Sequence, residues 1–219
     1  MSIILDSYQN TQTNLFGAGF FATITTLYTC SGTQRLLVVL VGGNGTQAPN
    51  VTQIKYNNVS LTKAVSIIDS TSAKSDSEVW YLLNPATGTN SLAIGINNPS
   101  NDAIIQSTAC SWNGVLQTAP LDSTASASAF TNGFSTNIIT GVANALVVAD
   151  TWNSSGRSLN PTTMTAFAAN VGVAYNILSV PAGAFTATWV MSGGGIWTHA
   201  LASFKPAPAV FVGINEVDG

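Results

Sequence analysis

What most constrains the fold of this chain is a period it lacks. Across 219 residues there is almost no apolar spacing of three or four, the mark of an amphipathic helix. Short apolar or alternating runs rich in Val, Ile, Thr and aromatic residues recur instead, broken by Gly, Asn, Pro and Ser roughly every ten residues. The clearest runs are Phe20 to Tyr28, Arg35 to Val41, Gln53 to Tyr56, Val59 to Leu61, Glu78 to Leu83, Ser91 to Ile96 and Ile104 to Trp112. They continue with Ser135 to Ile139, Ala145 to Thr151, Met164 to Ala168, Val171 to Leu178, Ala184 to Met191 and Ile196 to Phe204. Tyr56-Asn57-Asn58-Val59 reads as a tight hairpin turn, because Asn tolerates positive φ better than most residues. The class expected is all-β.

A weak internal repeat runs through these strands. Arg35-Leu36-Leu37-Val38-Val39 is echoed by Ala145-Leu146-Val147-Val148, and Tyr81 to Gly88 by Tyr175 to Gly183, each ending in a Pro-to-Gly turn, Pro85-Ala86-Thr87-Gly88 or Pro181-Ala182-Gly183. Each turn leads into another strand, Ser91 to Ile94 or Thr186 to Trp189, and each copy closes on an aromatic residue, at Ala109-Cys110-Ser111-Trp112 or Leu201-Ala202-Ser203-Phe204. Two such sets are what a two-sheet antiparallel β-sandwich of jelly-roll type requires. Val115 to Asn132, rich in Ser, Thr and Ala, reads as the long connection between the halves. Lys205-Pro206-Ala207-Pro208-Ala209 cannot continue a central strand, since proline lacks the ladder donor. The expected organisation is an N-terminal arm at 1–14, a sandwich at 15–205 and an extended C-terminal arm at 206–219.

Composition narrows the function. Charged residues are only 7% against 46% hydrophobic, so Ser, Thr, Asn, Gln and Gly must cover the surface. The net charge is −3, and Arg35, Lys55, Lys63, Lys74, Arg157 and Lys205 are scattered, which argues against nucleic acid, whose phosphates need clustered cations. So weakly charged a chain has little repulsion between copies. The longest apolar stretch, Leu36 to Val41, is far short of the roughly 20 residues of a membrane helix, so no membrane partner is expected. Met1 to Asn10 does not read as a secretory signal. Cys30 and Cys110, in a chain without an export signal, read as buried reduced thiols.

Catalytic arrangements are not found. The one histidine, His199, alternates with Trp197 and Leu201 on a strand and has no nucleophile elbow to serve, so it reads as a core or rim residue. Ser192-Gly193-Gly194-Gly195 lacks the Lys and the strand-to-helix setting of a phosphate loop and reads as a flexible or positive-φ turn. One His and two separated Cys do not make a zinc site, and the densest acidic cluster, Asp69, Asp76 and Glu78, lacks calcium-loop spacing and reads as a solvated loop with Lys74. No cofactor and no metal are expected. Among the five tryptophans, Trp152 beside Asn153-Ser154-Ser155-Gly156 is the best candidate for stacking on a sugar ring.

The order Arg35-Leu36-Leu37-Val38-Val39, then Val51 to Thr62, then Glu78 to Pro85 with Gly88-Thr89-Asn90, then Ala145-Leu146-Val147-Val148 resembles a β-sandwich domain of bacteriophage structural proteins and related bacterial surface proteins. The likeness spans about Leu15 to Pro206. It implies a virion component, a capsid cement or decoration protein or part of a tail or fibre, assembled in the host cytoplasm and bringing no active site. Without long fibre repeats, the chain reads as capsid-attached. The implied partners are the major capsid protein or other virion subunits, and further copies of the chain in a homo-oligomer. The expected contact residues are Val210, Phe211, Val212 and Ile214 on the C-terminal arm, with Leu15 and Phe16. The alternative is a carbohydrate- or receptor-binding module using Trp152.

Overall fold

The computed structural model describes residues 2–16, 20–69, 74–98, 102–153, 158–167, 173–177 and 182–209. Every regular element among them is a strand, and every pairing is antiparallel. The all-β sandwich expected from the alternating runs is what forms.

The first half alternates between two sheets. Sheet A orders its strands β1 (Ile4–Phe16), β9 (Asp102–Asn113), β3 (Leu36–Asn44), β7 (Ser75–Leu83) and β6 (Thr62–Ile68). Sheet B orders β2 (Phe20–Cys30), β8 (Gly88–Asn98), β4 (Asn50–Tyr56) and β5 (Val59–Ser60). With β1, β3, β7 and β9 in one sheet and β2, β4, β5 and β8 in the other, this is an eight-strand jelly roll carrying β6 at one edge. Between the sheets lies a core that includes Tyr28, Leu37, Val39, Ile54, Tyr56, Trp80, Leu92 and Ile94. The hairpin from β4 to β5 turns on Asn57 and Asn58, both left-handed at φ 48° and 63°.

The second half repeats this roll with four strands fused into two. Sheet C orders β10 (Leu121–Thr140), β15 (Gly183–Phe204), β11 (Leu146–Asn153), β14 (Val173–Ile177) and β13 (Thr165–Ala166), with β12 (Leu159–Pro161) also on β15. Where Thr131 pairs with Gly195 and Gly133 with Val190, Asn132 faces residues 191–194, and the sheet bends. The expected glycine turn therefore lies inside β15. None of its glycines has a positive φ; what their missing side chains provide is room, since a Cβ on Gly194 would stand 2.7 Å from Asn132 Oδ1. Beyond the bend, Phe134, Ile138, Trp189 and Met191 pack over Val147, Ala149, Trp197 and Leu201 as a separate core.

Register makes the duplication explicit. Leu36 pairs with Trp112 and Val38 with Tyr81 in the first roll; Leu146 pairs with Phe204 and Val148 with Tyr175 in the second. Both rolls carry a bulge at the same place, between Leu5 and Ser7 opposite Ser111, and between Leu121 and Ser123 opposite Ser203. An aspartate occupies each bulge and does the same work. Asp6 accepts from the Ser31 N–H at 2.8 Å, from the Ser31 hydroxyl and from the Ser111 hydroxyl at 2.7 Å; Asp122 accepts from the Gly141 N–H at 2.7 Å and the Ser203 hydroxyl at 3.5 Å.

The two rolls pack sheet A against sheet C, burying Leu36, Val38, Leu40, Val79 and Trp112 on Leu146, Val148, Ala200, Ala202 and Phe204. Burying side chains of this size from both sides contributes about 1.5–3 kcal/mol each before entropy is counted. The packing is reciprocal. Tyr81 meets Phe204 and its counterpart Tyr175 meets Trp112, as in a two-fold homodimer interface.

Two boundaries differ from expectation. The arm expected at 1–14 is strand from Ile4 onward: Ile4 to Asn14 pair with β9 on either side of the bulge at Asp6, because the ladder is satisfied by backbone groups whatever the polarity of the side chains. The connection between halves is short, and most of the Ser/Thr/Ala-rich stretch is β10, whose Ala125, Ala127 and Ala129 line the second core.

Candidate functional site

Leu15 and Phe16 end β1, paired with Ala103 and Asp102. Val210, Phe211, Val212 and Ile214 lie outside the described residues. The stretch leading to them is anchored: Pro206 bridges Val115, and the N–H of Ala207, itself buried, donates to the Gly114 carbonyl at 2.8 Å.

His199 is fully buried beneath the bend of sheet C. The Trp189 indole N–H donates to its Nε2 at 3.2 Å, so the neutral ring carries its proton on Nδ1 and donates to the Thr136 hydroxyl at 2.9 Å. Burial pushes its pKa down to about 3. Both nitrogens are occupied inside the core. Cys30 and Cys110 are free thiols in different cores, and burial raises the pKa of both, Cys110 to about 12.

The acidic cluster is not a solvated loop. Asp69, Asp76 and Glu78 are all buried, because the strand β7 carries the last two into the sheet and Asp69 closes back on Ser75 and Lys74. Glu78 is paired with Lys63 at 2.9 Å and accepts from the Trp80 indole at 2.5 Å; burial nevertheless raises its pKa. Asp76 has neither partner. Burial, then repulsion from Glu78 and Asp150, holds its carboxyl well above the usual range, and neither oxygen makes a well-formed hydrogen bond among the described residues. Asp150, on β11, is likewise raised by burial, which the Ser77 hydroxyl offsets only in part. Among the described residues no three His, Cys, Asp or Glu side chains are grouped to hold a metal ion. Burial of this depth favours the neutral form of a carboxyl over the charged one.

Trp152 faces sheet A, half-buried. Its ring carbon Cε3 stands 3.0 Å from where a Cβ on Gly42 would be, as does Asp150 Oδ2, and its indole N–H is buried without an acceptor among the described residues. By register Gly42 and Trp152 are counterparts in the two rolls, so their contact lies at the axis of the duplication.

Outward-facing positions differ from these interior groups. Phe21 is 79% exposed and Leu27 65% on β2, beside a surface of Thr23, Thr25, Thr29 and Ser91. In the second roll Phe130, Ile139 and Val190 are exposed near Ser135, Asn137, Thr186 and Thr188. Strand β10 is the edge of sheet C, and among the described residues it hydrogen-bonds to no strand but β15. The sequence matches no family model and no curated protein. Sequence reasoning passed over the exposed Phe21 and the open edge of β10; the absence of charge from both segments was the available signal.

Proposed function

We propose that the chain is a non-enzymatic structural protein of a bacteriophage particle, a capsid cement or decoration protein that stabilises the head through subunit–subunit contacts. The observation that carries this reading is the open edge of β10. Proteins that must stay apart blunt such edges with Lys, Pro, bulges or short strands, and of these β10 has only the bulge at Asp122 and the break at Asn132. Over Leu121–Thr140 this strand has no Lys, Arg or Pro and one charged residue, Asp122, already engaged with Gly141. Exposed Phe130 and Ile139 lie along it. An edge of this kind suits main-chain pairing with a neighbouring subunit. The sequence resemblance and the scarcity of surface charge support the same reading.

The test is the mass of the purified protein in solution, together with a cryo-electron map of the particle that produces it. Copies repeated over the head lattice, with β10 against a neighbour, are expected. A chain missing from every particle overturns the reading, and copies at the tail tip with binding on a glycan array replace it with the receptor-binding alternative.

A further inference from the structure

We infer that two copies of this chain associate by exchanging halves: the first roll of each docks its sheet A on sheet C of the other, and Thr118 and Ala119 are the hinge. Three features lead to this, and none depends on the virion reading.

Each roll has a core of its own, and the core between them is reciprocal. Nothing in that interface requires its two sides to belong to one molecule. The contacts of Tyr81 on Phe204 and Tyr175 on Trp112 form equally well between chains.

The ties around the connection sort onto one roll or the other. On the first roll, Gly114 and Val115 donate to Thr33 and Gln34. Leu116 donates to Lys205, and Ala207 to Gly114, across the interface, so a second chain's Lys205 and Ala207 serve in their place. Pro120 accepts from Lys205 within the second roll. Gln117 is tied by its side-chain amide to the Arg35 and Val115 carbonyls on the first roll, and the Ala119 carbonyl accepts from Lys205 Nζ at 3.3 Å on the second. The backbone therefore swings about Thr118 and the φ of Ala119, and at no more than about 3.6 Å per residue it keeps exchanged units touching.

The hinge is strained when closed. Ala119 has φ 48°, a left-handed conformation that its Cβ disfavours, and Pro120 after it restricts it further. Extension releases that strain, and short strained hinges promote exchange.

The experiment refolds the full chain from denaturant at high concentration and measures mass. A dimer is expected. Ala119→Gly, which removes the cost of the closed hinge, should lower the dimer-to-monomer ratio, and Ala119→Val should raise it; between the two the ratio should change on the order of tenfold. A second measurement uses a chain with a specific protease site inserted between Gln117 and Thr118. Cutting both hinges of an exchanged dimer leaves monomer-sized particles, each holding one half from either chain. A dimer that keeps its mass after cutting is docked by its surface and overturns the inference. So does a chain that refolds only as monomer, or a ratio indifferent to residue 119.

Discussion

Tyr81 of the first roll lies edge-on to Phe204 of the second, with ring centroids 5.5 Å apart, and Tyr175 returns the contact on Trp112 at 4.9 Å. The interplanar angles, 63° and 68°, are nearly the same. Reciprocity of this kind ties the two rolls together at two separate places. Tyr81→Ala and Tyr175→Ala should each cost about 2 kcal/mol, less than the roughly 3–5 kcal/mol of truncating a fully buried aromatic, because both rings are partly exposed. Urea denaturation checks this; a loss confined to one of the two would mean that the interface is not reciprocal in energy.

The bulge aspartate of the first roll, Asp6, should matter with the ordinary sign. Burial alone would raise the Asp6 carboxyl, but hydrogen bonds from the Ser31 hydroxyl, the Ser111 hydroxyl and the Ser31 N–H outweigh it, and its pKa is lowered. The stability it contributes is present above the unfolded value of 3.8 and is lost as pH falls through the lower folded value. Asp6→Asn should therefore destabilise at pH 7 by about 1 kcal/mol, and its difference from wild type should shrink as the pH falls below 3.8. Thermal melts at pH 7 and at successively lower pH decide it.

His199 governs a wider window. Folded, its pKa is about 3 against 6.5 for the free side chain, so between these values the unfolded chain binds a proton that the native core refuses. Stability is complete above 6.5 and falls on acidification, by up to about 4–5 kcal/mol at the bottom of the window. His199→Gln keeps an acceptor for Trp189 and a donor for Thr136. Its melting temperature should depend less on pH between 6.5 and 3 than that of the wild type. Equal slopes would show that the ring titrates in the folded state.

Asp76 and Asp150 act in the opposite direction. Their folded pKa values lie well above 3.8, so the native state holds protons that the unfolded chain has released. The stability they contribute is present below 3.8 and declines as pH rises toward the folded values. Asp150→Asn should thus raise the melting temperature at neutral pH, equivalent to about 1–3 kcal/mol. A variant less stable than wild type at pH 7 would mean that the charged form has a compensating partner.

Much of this fold was legible because strands announce themselves by alternation. The echo of Leu36-Leu37-Val38 in Leu146-Val147-Val148 falls on matching central strands, β3 and β11, and the Tyr81 and Tyr175 runs fall on β7 and β14. Most of what escaped notice lacked an apolar signature. Strand β1, with Asp6, Ser7, Gln9, Asn10 and Thr11, is held by its ladder to β9, and β12 pairs at an edge, where one neighbour is enough. Strand β6 did carry apolar residues, Ala64, Val65, Ile67 and Ile68, and was passed over all the same. The candidate sites were harder to read. Asp76 and Glu78 look solvated in one dimension, and only the pairing of β7 with β3 and β6 shows them enclosed. Sequence marks which residues carry charge; strand order decides which of them lose water.

The meeting of Gly42 with Trp152 has a consequence for fidelity. These two positions are counterparts, yet one is empty and the other holds the largest side chain, so the indole seats where its own equivalent is missing. Two first rolls brought together would leave a void there, and two second rolls would set indole against indole. Like therefore packs badly on like. The fit is heterospecific, and a first roll seats a second roll, in its own chain or in another, better than it seats a copy of itself.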